Sequence, residues 1–103
     1  MGEKMIDVGK DFAPLPGGRV GNNSGQLFRE KFLVPALKNN EKVIVDLDNT
    51  LGLGSSFLEE SFGGLVREDG FKASDLKKRL EIRISVKSYI DEIWSYINSA
   101  RRA

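Results

Sequence analysis

The spacing of apolar residues along the chain predicts three strands that alternate with three helices. Residues 4–9 and residues 80–84 alternate between apolar and polar side chains, as half-buried strands do. Val43 to Leu47 is a nearly continuous apolar run, typical of a central strand buried on both faces. The order β-α-β-α-β-α predicts an α/β fold, a small single-domain sandwich. Its sheet is expected to be mostly parallel or mixed, with the helices packed on it.

The first predicted helix follows a loop rich in glycine and proline. Ser24 is a natural N-cap for a helix that begins at Gly25, and Pro35 is expected to kink or end that helix. Residues 69–78 form a polar connector in which Ser74 caps a short turn. The strand that follows is expected at a sheet edge, and Ser85 or Ser88 is expected to cap the final helix.

The second predicted helix covers about residues 56–68 and follows the central strand. Ser56 and Glu59 fit a capping box, in which a hydroxyl is followed three residues later by a carboxylate. Gly70 is expected to stop the helix. Gly63-Gly64 inside it costs about 2 kcal/mol of helix propensity, which we expect close backbone packing against the sheet to offset.

Composition narrows the classes of function. The 103 residues include no cysteine and no histidine, which removes disulfides, thiolate chemistry, the commonest general base and the commonest zinc ligand. A net charge of +1 gives no reason to expect nucleic acid as a partner. The chain has no apolar run long enough to cross a membrane and no apolar signal region. We therefore predict a cytoplasmic domain without a cofactor.

A pair of carboxylates follows the central strand. The stretch "VIVDLDNTL" resembles the first motif of haloacid-dehalogenase-type phosphatases. In that family the first aspartate, here Asp46, is the nucleophile and the second, here Asp48, is the general acid/base, and the two carboxylates could hold Mg²⁺. That fold needs further acids at the ends of later strands, and Ser85 and Val86 follow the last strand here. The alternative is that both aspartates end the strand by accepting hydrogen bonds from turn amides.

Three stretches together carry a family resemblance: "SGQLFRE", "VIVDLDNT" and "GSSFLEESFGGLVREDG". They resemble the STAS-like domain family of unknown function, which is similar to bacterial anti-sigma factor antagonists. The resemblance covers roughly Gly21 to Ile84 and implies one STAS-like domain over residues 1–103, with residues 1–3 and 101–103 frayed. It implies a non-catalytic regulatory module that binds a protein partner. In the antagonists that partner is a histidine-kinase-like ATPase, which phosphorylates a serine.

The same resemblance indicates where a partner would bind. Ser56 is the closer match to the antagonists' phosphoacceptor, and Ser55 is the second candidate. Glu59 and Glu60 would repel a phosphate there. The implied surface comprises the start of the second helix and its neighbours in the glycine-rich loop: Gly54, Phe57, Glu59, Glu60, Arg19, Asn22, Asn23 and Ser24.

Three alternatives remain open from the sequence. The serines are also typical of plain helix caps, since serine is a preferred N-cap residue. The glycine-rich loop, residues 17–25, precedes a helix and invites a phosphate-binding interpretation, although it lacks the Walker lysine; a structural loop is the alternative. A purely structural subunit of a larger complex would bind its partners without using either serine.

Overall fold

A computed structural model describes residues 2–101 and contains one three-stranded parallel sheet. The strands are β1 (Glu3–Asp7), β2 (Lys42–Asp46) and β3 (Leu80–Arg83), and they lie in the order β1-β2-β3. Glu3 pairs with Lys42, and Val43 pairs with Leu80. The α/β class and the parallel sheet are therefore confirmed, with β3 at an edge as expected.

Strand β1 is shorter than predicted. It ends at Asp7, and the next residues form a π-helical turn, Val8–Phe12, whose Lys10 amide donates to Asp7 Oδ1 at 3.1 Å. At the start of β1 the Gly2 carbonyl accepts hydrogen bonds from the amides of residues 41 and 42. Residues 1, 102 and 103 lie outside the described residues.

Helix α1 occupies residues 25–39. It runs as an α-helix over Gly25–Phe28, a π-helical segment over Arg29–Leu33 and an α-helix over Val34–Asn39. The predicted cap is confirmed, since Ser24 Oγ accepts from the Leu27 amide at 3.2 Å. Pro35 does not end the helix. A proline lacks the N–H that an α-helix needs, and the π-helical segment lies immediately before it.

Helix α2 occupies residues 55–67. It consists of Ser55–Leu58, a π-helical segment Glu59–Gly63, and Gly64–Arg67. The predicted capping box is wrong: Gly54 is the N-cap, and no side chain accepts from the first-turn amides. The predicted stop is confirmed, because Gly70 has a φ of 75°, a conformation that glycine adopts without strain.

Two further helices follow α2. The polar connector contains a full helix, α3 (Ala73–Arg79), rather than a short turn capped by Ser74. The final helix, α4 (Ser88–Ser99), begins after Lys87 and has no side-chain cap, so neither predicted serine caps it. It ends before Arg101, whose Nη1 donates to the Ser99 carbonyl at 3.3 Å. The element order thus contains one more helix than predicted.

The two faces of the sheet have different surroundings. The face toward the helices joins the hydrophobic core, to which Ile6, Val43, Val45, Leu80 and Ile82 belong. On the opposite face Met5 is 46% exposed, and Glu81 forms ion pairs with Lys42 at 3.2 Å and Arg83 at 2.6 Å. Ile44 lies between these side chains and is only 4% exposed. The prediction that the central strand is buried on both faces is therefore confirmed.

Candidate functional site

Helices α1 and α2 pack closely together at Gly25. A methyl group at this position would lie 2.7 Å from the Phe57 carbonyl oxygen and 2.8 Å from Glu60 Cβ. The buried Ser61 lies at the same crossing, with its Oγ 3.5 Å from the Gly25 carbonyl oxygen. Because Gly25 is the last residue of the glycine-rich loop, the crossing brings that loop beside the start of α2.

The glycine-rich loop closes over the N-terminus of α1. The Gly25 amide donates to the Gly18 carbonyl at 2.9 Å, and the Gln26 amide donates to the Arg19 carbonyl at 3.0 Å. Ser24 accepts the next two amides through its hydroxyl and its carbonyl. The first four amides of α1 are therefore all bonded within the chain. This geometry favours the structural loop over the phosphate-binding interpretation.

An ion-pair cluster joins the glycine-rich loop to α1 and α2; we call it the arginine–glutamate cluster. It comprises Arg19, Arg29, Arg67, Glu59 and Glu60. Arg19 Nη1 contacts Glu59 and lies 3.5 Å from Glu60 Oε1, and Arg67 Nη1 lies 2.5 Å from Glu59 Oε2. Three guanidinium groups therefore neutralise the two carboxylates that were expected to repel a phosphate.

Arg29 is the buried member of the cluster. Its side chain is 4% exposed, and its Nη1 donates to the Glu60 carbonyl at 2.6 Å and to Glu60 Oε2 at 2.7 Å. Nε lies 2.8 Å from Asp69 Oδ2, a contact that is an ion pair but not a hydrogen bond. Arg29 thereby joins α1 to the middle of α2 and to the turn that follows α2.

The Gly63-Gly64 pair lies against this cluster and not against the sheet. A methyl group at Gly64 would overlap the Arg29 guanidinium, at 2.9 Å from Cζ. A methyl group at Gly63 would lie 2.7 Å from Glu59 Oε2 and 3.4 Å from the Tyr96 carbonyl oxygen on α4. Close backbone packing was predicted correctly, but its partners, Arg29, Glu59 and α4, were not.

The cluster sets the ionisation of Glu59. Partial burial alone would raise the pKa of this carboxyl, but hydrogen bonds from Arg67 and Arg19 outweigh burial and hold the pKa below its ordinary 4.5. The charged form of Glu59 therefore stabilises the fold. This contribution is complete above pH 4.5, the value expected in the unfolded chain, and is lost as the pH falls through the lower folded pKa.

A Glu59→Gln variant tests this pH dependence. We expect it to be less stable than the wild type at pH 7, and we expect the difference in unfolding free energy to shrink as the pH falls below about 4.5. Urea unfolding at pH steps from 7 to 3 measures both. A difference that stays constant over this range would contradict the lowered pKa. The Glu41→Gln variant, changed at an exposed carboxylate, is the control.

The two candidate serines begin α2 and are both exposed. Ser55 is four residues before Glu59, so these two residues share a helix face. Ser56 shares a helix face with Glu60 in the same way. Glu60 binds Arg29 of α1 and Arg19 of the loop.

Ser24 and Ser56 provide a direct comparison of two serines predicted as caps. The Ser24→Ala variant should lose about 1–2 kcal/mol of unfolding free energy, because this buried hydroxyl caps α1. The Ser56→Ala variant should stay within about 0.5 kcal/mol of wild type, because Ser56 makes no cap bond. Chemical denaturation measures both. Equal losses would contradict the assignment of the caps.

The remaining residues of the predicted partner surface differ in their exposure to solvent. Gly54, Asn22 and Asn23 are exposed, but Ser24 and Phe57 are fully buried and offer no side chain to a partner. Phe57 packs instead against Phe28, with ring centroids 5.8 Å apart. Sequence reasoning did not include Arg29 and Arg67 among the site residues. The partners of Arg29 are distant in the chain, and Arg67 resembles the other charged residues on the surface of α2.

An exposed apolar rim adjoins the start of α2 and was also missed. Leu51, three residues before Gly54, is 80% exposed, and Val86 is 55% exposed. Both line a shallow groove that also includes Leu53 and Tyr89. The signal in the sequence was Leu51 itself, an apolar residue within a stretch that has no helix or strand pattern.

The two aspartates after β2 accept hydrogen bonds from backbone amides, as predicted by the alternative to a phosphatase site. Asp46 Oδ1 accepts from the Asp48 amide at 2.9 Å, and Asp48 Oδ1 accepts from the Ser85 amide at 2.7 Å. Among residues 2–101 no group of three or more potential metal-ligating side chains is gathered in one place. The contacts therefore account for both carboxylates without a phosphoryl substrate.

Comparison with known protein families decides the family. A family model described as a STAS-like domain of unknown function matches residues 24–89. The chain belongs to this family. The match includes both candidate serines and most of the arginine–glutamate cluster of this STAS-like domain, whereas Arg19 lies outside it. No curated protein and no solved structure gives a significant match to the chain.

Within residues 2–101, no helix of the STAS-like domain combines the length and the apolar composition needed to cross a bilayer.

Proposed function

We propose that this STAS-like domain is a non-catalytic regulatory module that binds a protein partner through the exposed start of α2. The observation that carries the proposal is the exposure of Ser55 and Ser56 at a helix start where no hydroxyl serves as a cap. These hydroxyls have no capping role in the fold, so a partner or a modification can use them.

The surroundings of the serines support a protein partner. Leu51 and Val86 expose apolar surface beside polar residues, a combination typical of protein-binding sites. The arginine–glutamate cluster holds the start of α2 against the glycine-rich loop. The surface is therefore preformed and loses little conformational entropy when a partner binds.

The proposed switch is phosphorylation of serine by a histidine-kinase-like ATPase of the bacterial cytoplasm. The γ-phosphoryl group of ATP would pass to the serine Oγ, its bond to the ADP oxygen would break, and the hydroxyl proton would leave. A phosphoserine adds nearly two negative charges and three acceptor oxygens to the contact surface. Such a change alters affinity for a partner without requiring a change of fold.

Affinity capture from the native cell tests this proposal. The baits are the wild-type domain, a Ser56→Glu variant and a Ser74→Glu variant, and captured proteins are identified by mass spectrometry. Ser74 is the matched control, because it is also exposed and lies in the first turn of a helix. The intact mass of the wild-type bait reports phosphorylation.

We expect an ATPase-domain partner on the wild-type and Ser74→Glu baits and its loss from the Ser56→Glu bait. A fraction of the wild-type bait should carry one added phosphate. Retention of the same partner on all three baits would refute the switch and leave a module with inert serines. The absence of any captured protein would refute the binding function itself.

A further inference from the structure

Strand β1 lies at an edge of the parallel sheet, and part of its backbone faces away from the sheet. The Gly2 carbonyl accepts from the Lys42 amide at 3.1 Å, so the backbone groups of Gly2 and of every second residue after it point toward β2. The N–H and C=O groups of Glu3 and Met5 therefore point outward. The described residues place no strand on that side. Such an edge can pair with another extended chain.

The end of the same edge is closed within the chain. The Asp7 amide, which points outward like that of Met5, donates to Asp11 Oδ2 at 2.8 Å. The π-helical turn Val8–Phe12 then follows the strand. The outward backbone groups of residues 3–5 are therefore the part of β1 that an added strand can use.

A groove of about 360 Å³ lies between this edge and helix α1. Its apolar lining comes from Ile6, Phe32, Pro35 and Ala36. Phe32 packs against Phe12, with ring centroids 5.5 Å apart, which holds this wall of the groove in place. In an extended segment every second side chain points to the same side. A segment paired with β1 would therefore direct alternate side chains into the groove.

Two lysines give the groove a positive charge: Lys4 lies on β1, and Lys31 lies on α1. Both residues are exposed, and neither has an ion-pair partner within residues 2–101. None of the described residues that line the groove is acidic. Carboxylates of a bound segment would therefore lie near cations that no other anion occupies. Electrostatic complementarity favours an acidic segment in this groove.

A second copy of this chain does not fit the edge. In an antiparallel pairing centred on Met5, Glu3 of one copy would lie opposite Asp7 of the other. In a pairing centred on Lys4, the two lysines would lie opposite each other. Like charges directly opposite one another destabilise a strand pair. The edge therefore fits a chain of different sequence.

We propose that the edge of β1 binds an extended, acidic segment of a protein partner as a fourth strand of the sheet. The outward backbone groups of Glu3 and Met5 exchange hydrogen bonds with the segment, and its alternate apolar side chains fill the groove. Its carboxylates lie near Lys4 and Lys31. This contact uses none of the residues at the start of α2, so it is a site beyond the function proposed above.

A phage-displayed library of random linear peptides, selected on the full chain, supplies the probe. We expect the enriched peptides to alternate apolar and polar residues and to carry a net negative charge. Fluorescence polarisation then measures the affinity of a labelled selected peptide. Failure to enrich any peptide over a bait-free surface would overturn the proposal, and so would enrichment of basic peptides.

The Met5→Pro variant tests the backbone contact. It removes one outward N–H, which a residue on an edge strand can lack without disturbing the sheet. We expect it to weaken binding of the selected peptide at least about tenfold, because a carbonyl of the peptide is left without a donor. The Met5→Ala variant keeps the N–H and should bind within about threefold of the wild type. Equal affinities of the wild type and Met5→Pro would overturn the proposal.

The Lys31→Glu variant tests the charge. The affinity for the acidic peptide should fall at least about threefold, because a cation beside the groove is replaced by an anion. Lys78→Glu is the matched control, since Lys78 is an exposed lysine on α3 and does not line the groove. Equal affinities of the two variants would contradict the acidic character of the segment.

An N-methyl scan of the selected peptide tests the pairing on the unchanged protein. Each peptide N–H is replaced in turn, and in an added strand only every second N–H points toward β1. The losses of affinity should therefore alternate along the peptide, and losses without this alternation would overturn the proposal. The Ser56→Glu variant should bind the peptide as the wild type does, because the start of α2 takes no part in this contact.

Sedimentation of the chain alone distinguishes a protein partner from a second copy. We expect the wild type and Met5→Pro to sediment alike. A dimer that Met5→Pro dissociates would assign the edge of β1 to a second copy and overturn the proposal.

Discussion

Replacement of Gly64 by alanine is expected to lower the free energy of unfolding by about 2–4 kcal/mol. The added methyl group would overlap the Arg29 guanidinium, 2.9 Å from Cζ and 3.1 Å from Cδ. Arg29 is held by Glu60 and Asp69, so it moves only by weakening a buried ion pair, which costs about 3–5 kcal/mol when broken. The better helix propensity of alanine returns about 1 kcal/mol.

The measurement is denaturant unfolding at pH 7, with the slope of the transition checked against wild type. Gly17→Ala is the matched control, since a methyl group at Gly17 meets nothing within 4 Å, and it should stay within about 0.5 kcal/mol. Equal stability of Gly64→Ala and the wild type would show that Arg29 does not pack on this glycine.

The Arg29→Met variant is expected to lose about 3–5 kcal/mol. It keeps much of the apolar stem of the side chain but removes the cation, so the carboxylates of Glu60 and Asp69 and the Glu60 carbonyl lose a partner in a buried place. The same change at Arg83 removes only an exposed ion pair with Glu81 and should leave the stability close to that of the wild type.

A second variant separates the lost charge from the lost packing. In the double variant Arg29→Met with Glu60→Gln, the carboxylate that lost its closest cation is gone, so part of the lost stability should return. Thermal or urea unfolding of the two single variants and the double variant gives the coupling free energy. A loss below about 1 kcal/mol in Arg29→Met, or purely additive effects, would contradict the role of Arg29 as a buried charge.

Periodicity identified the elements of this STAS-like domain but not the contacts between them. The alternation around Ile82 and the apolar run at Val43 predicted β3 and β2 because burial imposes a period of two on half-buried strands. Helix α3 was missed because only Leu76 of this helix is fully buried, so it has almost no apolar stripe. Strand β1 was predicted too long because Val8, although buried, belongs to a π-helical turn.

The cluster around Glu60 was beyond sequence reasoning for a different reason. Arg29 follows the apolar Phe28 and resembles a charge on the solvent face of a helix, and its partners lie more than thirty residues away in the chain. The Gly63-Gly64 pair did signal a close approach, because glycine inside a helix needs compensation. Its partner was unpredictable, since the choice between sheet and guanidinium depends on how α1 and α2 cross.

The strand register has a consequence for how the chain reaches this structure. Glu3 pairs with Lys42 and Val43 pairs with Leu80, so each strand pairing closes a loop that contains at least one complete helix. No hairpin is available as a local nucleus for the sheet, and the entropy of both closures is lost before any ladder bond forms. We therefore expect the sheet to assemble late, on helices that have already begun to pack. We expect the crossing of α1 and α2 at Gly25 and Ser61 to form in the rate-limiting step.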